Sequence, residues 1–216
     1  MPFRDRTDAG RQLALRLVEW ADSGDLVNRL VLALTAAGCP SRPRSRALHA
    51  PLDVLVARKI GAPGRPETAV GALVDDEPAV FDRRSLDALE LTEDAFDSEV
   101  ARERDELHRR EHVYRGDRPA PDARGRAMVL VDDGLATGLT ATAALRHLRR
   151  QDPGRLVLAV PVCSPHAAGE LRAEADDLVC LEQPGSFRAV GEWYEDFGRL
   201  TDTEVVDTLR TFHATA

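Results

Sequence analysis

Between residues 127 and 183 short apolar runs alternate with helix-length stretches, and this rhythm constrains the fold more than any other feature. AMVLVDD (127–133), LVLAVPVC (156–163) and DLVCLEQ (177–183) are strand-length and almost continuously apolar. LTATAALRHLRRQ (139–151) and PHAAGELRAEA (165–175) lie between them with helical spacing. Strands covered on both faces read as unbroken apolar runs, and strands joined through single helices form right-handed βαβ units. The expectation is therefore an α/β fold, a mostly parallel twisted sheet with flanking helices.

The upstream half supplies further elements. DRTDAGRQLALRLVEWA (5–21) sets Leu13, Leu17 and Trp20 at helical spacing, with Asp8 available as an N-cap. RLVLAL (29–34) and LDVLVARKI (52–60) each read as a buried strand, and TAVGALVDDEPAVF (68–81) as two short strands about an Asp-Asp-Glu-Pro turn. LTEDAFDSEVARERDELHRREHVYR (91–115) predicts a long charged helix with i,i+4 pairs Asp105–Arg109, Glu106–Arg110 and Glu111–Arg115. Its apolar stripe of Phe96, Val100, Leu107 and Tyr114 is thin, which places it on the surface or beside a hinge. A loop follows at 116–125, and the tail gathers Trp193, Tyr194 and Phe197 before a last helix from about Thr201.

Bulk numbers bound the function. A chain of 216 residues suits one domain, or one with a modest appendage, and 43% hydrophobic residues supply a core. A net charge of −8 argues against a polyanion-binding surface, so nucleic acid is not an expected partner. No run approaches the roughly 18 apolar residues of a membrane span, and the charged start lacks a leader-like apolar block. Cys39, Cys163 and Cys180 form no CxxC pair, which points to a reducing compartment with neither disulfide frame nor zinc site. The expected setting is the cytoplasm.

The chemistry concentrates in VLVDDGLATGLT (129–140). Ligands of open parallel sheets gather outside the carboxyl ends of the strands, where Asp132 and Asp133 fall. Gly134 and Gly138 let backbone amides approach a ligand, Thr137 and Thr140 add hydroxyls, and a helix starting near Leu139 aims its positive end at the same place. Carboxylates repel phosphate, so loop and acids must serve different parts of one molecule. A sugar phosphate fits, with its diol on the acids and its phosphate in the loop, and Mg²⁺ beside the diol would lower the charge penalty. Walker A spacing and its lysine are absent, as is GxGxxG. An ordinary strand–loop–helix with capping side chains is the plain alternative.

VLVDDGLATGLT resembles the phosphoribosyl pyrophosphate (PRPP) motif of type I phosphoribosyltransferases. FRDRTDAG, PLDVLVARKIGAPG, the helix before the motif, VPVCSP and FRAVGEWYEDFG are similar to an uncharacterised bacterial subgroup of that family, so the resemblance spans nearly the whole chain. It implies one domain over residues 1–216, with a flap and helix at about 68–125 and a small C-terminal hood at about 184–200. It also implies a pentosyl-transferring enzyme that moves phosphoribose from PRPP to a nucleobase-like acceptor and releases pyrophosphate. Asp132 and Asp133 would hold the ribose hydroxyls and, through PRPP, Mg²⁺. Gly134, Ala136, Thr137, Gly138, Leu139 and Thr140 would cradle the 5′-phosphate. Arg58 and Lys59, read at the tip of the second strand, are the candidate cations for the leaving pyrophosphate. Trp193 and Tyr194 are candidates for a hood over the base, with core packing as their alternative. Similar enzymes are often dimers, so a homodimer belongs to the same expectation.

Two positions depart from or narrow the pattern. Ala136 stands where enzymes acting on 6-oxopurines carry an acid, which disfavours that acceptor. The family's pyrophosphate loop, LPRGG-like in the subgroup, is replaced by TAAGCPSRPRSRALHAPLD (35–53), with Pro40 and Pro43 opposing a helix. Decay or a local change of reading frame would explain this, and Arg42, Arg44 and Arg46 would then be a solvated basic loop. That damage favours a second reading, a non-catalytic PRPP or nucleotide sensor. His108, His112, His147, His166 and His213 read as surface or packing residues, and Ser164 as an N-cap.

Overall fold

The computed structural model describes residues 2–22, 28–34, 50–198 and 200–213; the altered 35–46 segment, with its arginines and Cys39, lies outside them. Strands β1 (Arg29–Leu34), β2 (Leu52–Leu55), β6 (Ala127–Val131), β7 (Arg155–Val162) and β8 (Asp177–Glu182) form one sheet in the order β2-β1-β6-β7-β8. Every neighbouring pair is parallel. The period of two along each strand divides the core. Val31, Ala33, Val129, Val131, Val157 and Ala159 face one side, while Leu30, Leu32, Met128, Leu130, Leu156 and Leu158 face the other.

Helices cover both faces, which is why these strands carry no polar alternation. The first face receives Leu13 and Leu17 of α1 (Arg6–Asp22), Leu107 and Tyr114 of α3 (Asp97–Arg115), and Val205 and Leu209 of α6 (Asp202–His213). The second receives Ala141, Ala144, Leu145 and Leu148 of α4 (Leu139–Arg150) and Ala167, Ala168 and Leu171 of α5 (Pro165–Leu171). A second, antiparallel sheet consists of β3 (Ala57–Ala62), β4 (Arg65–Val74) and β5 (Val80–Phe81), followed by the short α2 (Arg83–Leu89). The Asp75–Pro78 turn falls between β4 and β5 as expected, with Asp75 at φ 52°.

Four expectations need correction. LDVLVARKI is two strands: β2 lies in the parallel sheet, β3 belongs to the antiparallel one, and Val56 between them is fully buried. An apolar run cannot reveal a change of sheet when both halves are covered. Helix α3 is not peripheral. Its stripe is narrow but deep, with Phe96, just before its start, 1%, Leu107 0% and Tyr114 5% exposed. Arg109 does not pair with Asp105; it reaches Glu106 at 2.6 Å and Asp202 of α6 at 2.8 Å, whereas Glu106–Arg110 and Glu111–Arg115 form as expected. The Tyr114 hydroxyl also holds Asp202, at 2.6 Å, and these partners keep that carboxyl below its ordinary range. Finally, Asp5 caps α1 by accepting from the Asp8 amide at 2.7 Å; Asp8 itself sits in the first turn.

Cys163 and Cys180 are free thiols, yet their Sγ atoms approach to 2.8 Å across β7 and β8, a proximity that sequence spacing does not show. His147 is buried beneath the Asp75–Glu77 turn, 3.5 Å from Glu77, which fits a packing role. Among the described residues no helix is long and apolar enough to cross a membrane, and no His/Cys/Asp/Glu group of three or more could hold a metal ion.

Candidate functional site

Strand β1 has β2 on one side and β6 on the other, so the sheet reverses direction of growth between β1 and β6. Crevices form at such reversals, outside the carboxyl ends of the strands. Strand β6 delivers Asp132 and Asp133 to that place. Both residues are 4% exposed, and Asp132 turns back to accept from the Asp133 amide at 2.9 Å.

The turn that follows is held from both sides. The Leu135 amide donates to the Val162 carbonyl at 2.9 Å, and the Ser164 amide donates to the Leu135 carbonyl at 2.9 Å. Ser164 does two jobs with one hydroxyl: it caps α5 by accepting from the Ala167 amide at 3.1 Å and donates to the Ala136 carbonyl at 2.7 Å. Ser164→Ala should cost about 1–2 kcal/mol of stability, since cap and turn contact disappear together. Chemical denaturation would check it, and an unchanged midpoint would show that the turn stands without Ser164.

Two glycines are required here for different reasons. Gly138 lies at φ 77°, where a side chain is strained, and an added Cβ would sit 2.8 Å from Leu171 Cδ1. A Cβ on Gly134 would sit 2.7 Å from Val190 Cγ1. Gly138 is also the N-cap of α4, and no side chain caps that helix. Its first-turn N–H groups, which helix geometry leaves without intrahelical partners, open onto the turn. An anion is the natural complement of that end.

These parts share one cavity of about 110 Å³, lined by Asp132 through Thr140 together with Lys59, Ala69, Val190 and Phe197. The volume falls below the roughly 300–1,000 Å³ of clefts that take drug-sized ligands, and suits a phosphoryl group with one edge of a sugar. Of the two candidate cations, Lys59 is exposed and lines the cavity. Arg58 instead meets Glu103 of α3 at 2.6 Å. Both lie within β3, not at the tip of a strand of the parallel sheet. Tyr194 is packed inward, 6% exposed, with its ring 5.5 Å from Phe3 and 4.8 Å from Phe197 and its hydroxyl donating to the Asp133 carbonyl at 2.5 Å. Trp193 does not line the cavity; the apolar wall is Val190 and Phe197.

Sequence reasoning passed over one charged residue. Arg6 of α1 places Nε 3.0 Å from Asp133 Oδ2, with side chains 13% and 5% exposed. Its only prior signal was the FRDRTDAG resemblance, which carried no role for it.

An open parallel sheet with an acid pair, a glycine–threonine turn and an uncapped helix at its switch point defines a class of α/β proteins ready to seat an anion. Comparison narrows the class: the model of the phosphoribosyl transferase domain matches residues 28–196. The chain belongs to that family. Two strains of Mycobacterium tuberculosis carry proteins provisionally described as phosphoribosyl transferases that are 41% identical to it over 212 residues, 98% of this chain. The chain spans about half (47%) of the length of these curated relatives. A crystal structure from Thermus thermophilus is 40% identical, with a TM-score of 0.74 over 98% of this chain and 99% of that one. A Neisseria gonorrhoeae protein solved with bound ppGpp shares the fold, at a TM-score of 0.51 and 14% identity over 98% of each chain.

Proposed function

We propose that the protein is a PRPP-dependent phosphoribosyltransferase with a nucleobase-like acceptor. The observation that carries this reading is the convergence of an acid pair, an uncapped helix N-terminus and Lys59 on one cavity. The 5′-phosphate takes the amides of Ala136 through Thr140, and the ribose hydroxyls take Asp132 and Asp133. Lys59 faces the pyrophosphate. Arg58, tied to Glu103, anchors β3 to α3 and so steadies Lys59. The acceptor lies against the Val190–Phe197 wall, beneath the 184–200 hood.

In the reaction a nucleophilic atom of the acceptor bonds to the anomeric carbon as the carbon–oxygen bond to pyrophosphate breaks; the bonding pair leaves with pyrophosphate, and the proton shed by the acceptor passes to solvent or to that departing anion. Positive charge grows on the ring, so catalysis lies in alignment and in stabilising the departing anion. Two adjacent carboxylates supply hard oxygen donors but too few to enclose a metal ion, which suits Mg²⁺ shared with ligand phosphates and water. When bound, Mg²⁺ would neutralise charge on pyrophosphate and on the acid pair beside the diol. Ala136 has no titratable group, so the turn provides no base beside the acceptor. A cytoplasmic setting accords with the free thiols of Cys163 and Cys180, and a homodimer remains part of the family-based proposal.

Protein, PRPP, Mg²⁺ and a panel of nucleobases, assayed for pyrophosphate, test the reading directly. Turnover with one base establishes the transferase; PRPP binding without turnover for every base replaces it with a sensor. Lys59→Met should lower kcat/KM by roughly ten- to a hundredfold if Lys59 meets the leaving group. Equal rates for the two proteins would remove Lys59 from the mechanism.

A further inference from the structure

The acid pair raises an electrostatic problem that the turn does not solve. Asp132 and Asp133 are adjacent and each 4% exposed, in a chain of net charge −8. Two carboxylates withdrawn from water repel each other strongly unless a cation is close. Among the described residues Arg6 is one such cation, and it is held from three sides. Nε donates to Asp133 Oδ2 at 3.0 Å, Nη1 donates to the Gly198 carbonyl at 2.5 Å, and the guanidinium carbon lies 3.8 Å from the centre of the Phe197 ring. A charge meant only to neutralise would not need a ring and a carbonyl to fix its plane.

The segment carrying Arg6 is fastened to the tail in the same way. The Phe3 amide donates to the Trp193 carbonyl at 2.7 Å, the Glu195 amide to the Phe3 carbonyl at 2.8 Å, and the Asp196 amide to the Arg4 carbonyl at 2.9 Å. Asp133 is thereby gripped twice, its carboxylate by Arg6 and its main-chain carbonyl by Tyr194. Arg6 itself is not among the residues lining the cavity.

We propose that Arg6 is a positioning residue for sugar recognition: by occupying Oδ2 it turns the Asp133 carboxylate so that the other oxygen meets a ribose hydroxyl. Arg6 acts through Asp133 and does not touch the ligand. The inference rests on the PRPP reading of the site and adds to it a determinant from outside the motif, 127 residues away in the chain.

The test compares ribose 5-phosphate with its 2-deoxy and 3-deoxy counterparts, and with inorganic phosphate, by calorimetry or ligand-observed NMR on the full chain. Wild type should prefer ribose 5-phosphate over at least one deoxy sugar by about tenfold, the worth of one charge-assisted hydrogen bond. Arg6→Met should bring that ratio to within about twofold, while inorganic phosphate, which loses only a nearby positive charge, weakens less than ribose 5-phosphate does. Arg6→Lys, which keeps the charge, should restore a good part of the ratio. If Arg6→Met proves unfolded, Arg6→Leu, which likewise presents no donor to Asp133, takes its place. A preserved ratio in Arg6→Met or Arg6→Leu overturns the proposal, as does an equal loss for every ligand, which would mark Arg6 as a mere staple. A wild type that binds phosphate but does not distinguish the sugars defeats the PRPP reading itself, a result visible before any variant is made.

Discussion

Replacing Asp132 and Asp133 together by asparagine is expected to weaken PRPP binding by well over tenfold. Hydrogen bonds to a charged partner are worth about 1.5–3 kcal/mol each, and the two proposed ribose contacts lose that charge at once. The direction for a plain anion is opposite. Both carboxylates line the same cavity as the turn residues Ala136 to Thr140, so their removal lowers the potential opposing a phosphate there. Inorganic phosphate should bind the double variant as well as or better than wild type, while PRPP binds worse. Calorimetry with the two ligands reads both changes, and thermal unfolding reports on the fold. A PRPP dissociation constant that does not move would detach the acids from the sugar.

The second large effect concerns stability. Leu107→Ala should cost about 2–5 kcal/mol, the range for emptying a fully buried leucine site. Leu107 is 0% exposed within the cluster that also holds Ile60, Leu73, Val54 and Leu209. Helix α3 thus joins the antiparallel sheet, the parallel sheet and α6 through one narrow stripe. For a chain of this size the melting temperature should fall by on the order of 5–15 °C. A change below about 1 kcal/mol would return α3 to the periphery, where its charge content first placed it.

Local chemistry explains which features were readable. Strands β6 and β7 are continuous apolar runs between turn signals, and both of their faces are covered, so pattern and burial agree; β8, at the sheet edge, is mostly half-buried. The 129–140 stretch was readable because strand tip, glycine turn and helix start are contiguous, and its residues from Asp132 to Thr140 line one cavity. Ser164 was recognisable as a cap because Pro165 follows it at a helix start. The misses are of another kind. Asp5 and Asp8 are both suitable caps three residues apart, and only the backbone path selects Asp5. Arg109 had an acid at the right spacing, yet Asp202, 93 residues away, offered better geometry together with Glu106. The break at Val56, the Cys163–Cys180 approach and the Arg6–Asp133 pair depend on which strands and helices become neighbours, and no local window contains that information. The aromatic tail shows the same limit: Trp193 and Tyr194 were the candidates for the hood, but the turn of the chain packs Tyr194 inward and brings Phe197, which carried no role, to the cavity.

The fastening of residues 3–6 to residues 193–198 sets an order of events during synthesis. Domains emerge from the ribosome amino end first, and contacts distant along the chain must wait for their partners. Arg6 leaves the exit tunnel long before Phe197 and Gly198 are made, so a nascent chain that has already folded β6 and its turn still lacks the far half of the clasp. The clasp on Asp133 is therefore completed only after the segment around residues 193–198 has emerged, however early β6 and its turn have folded.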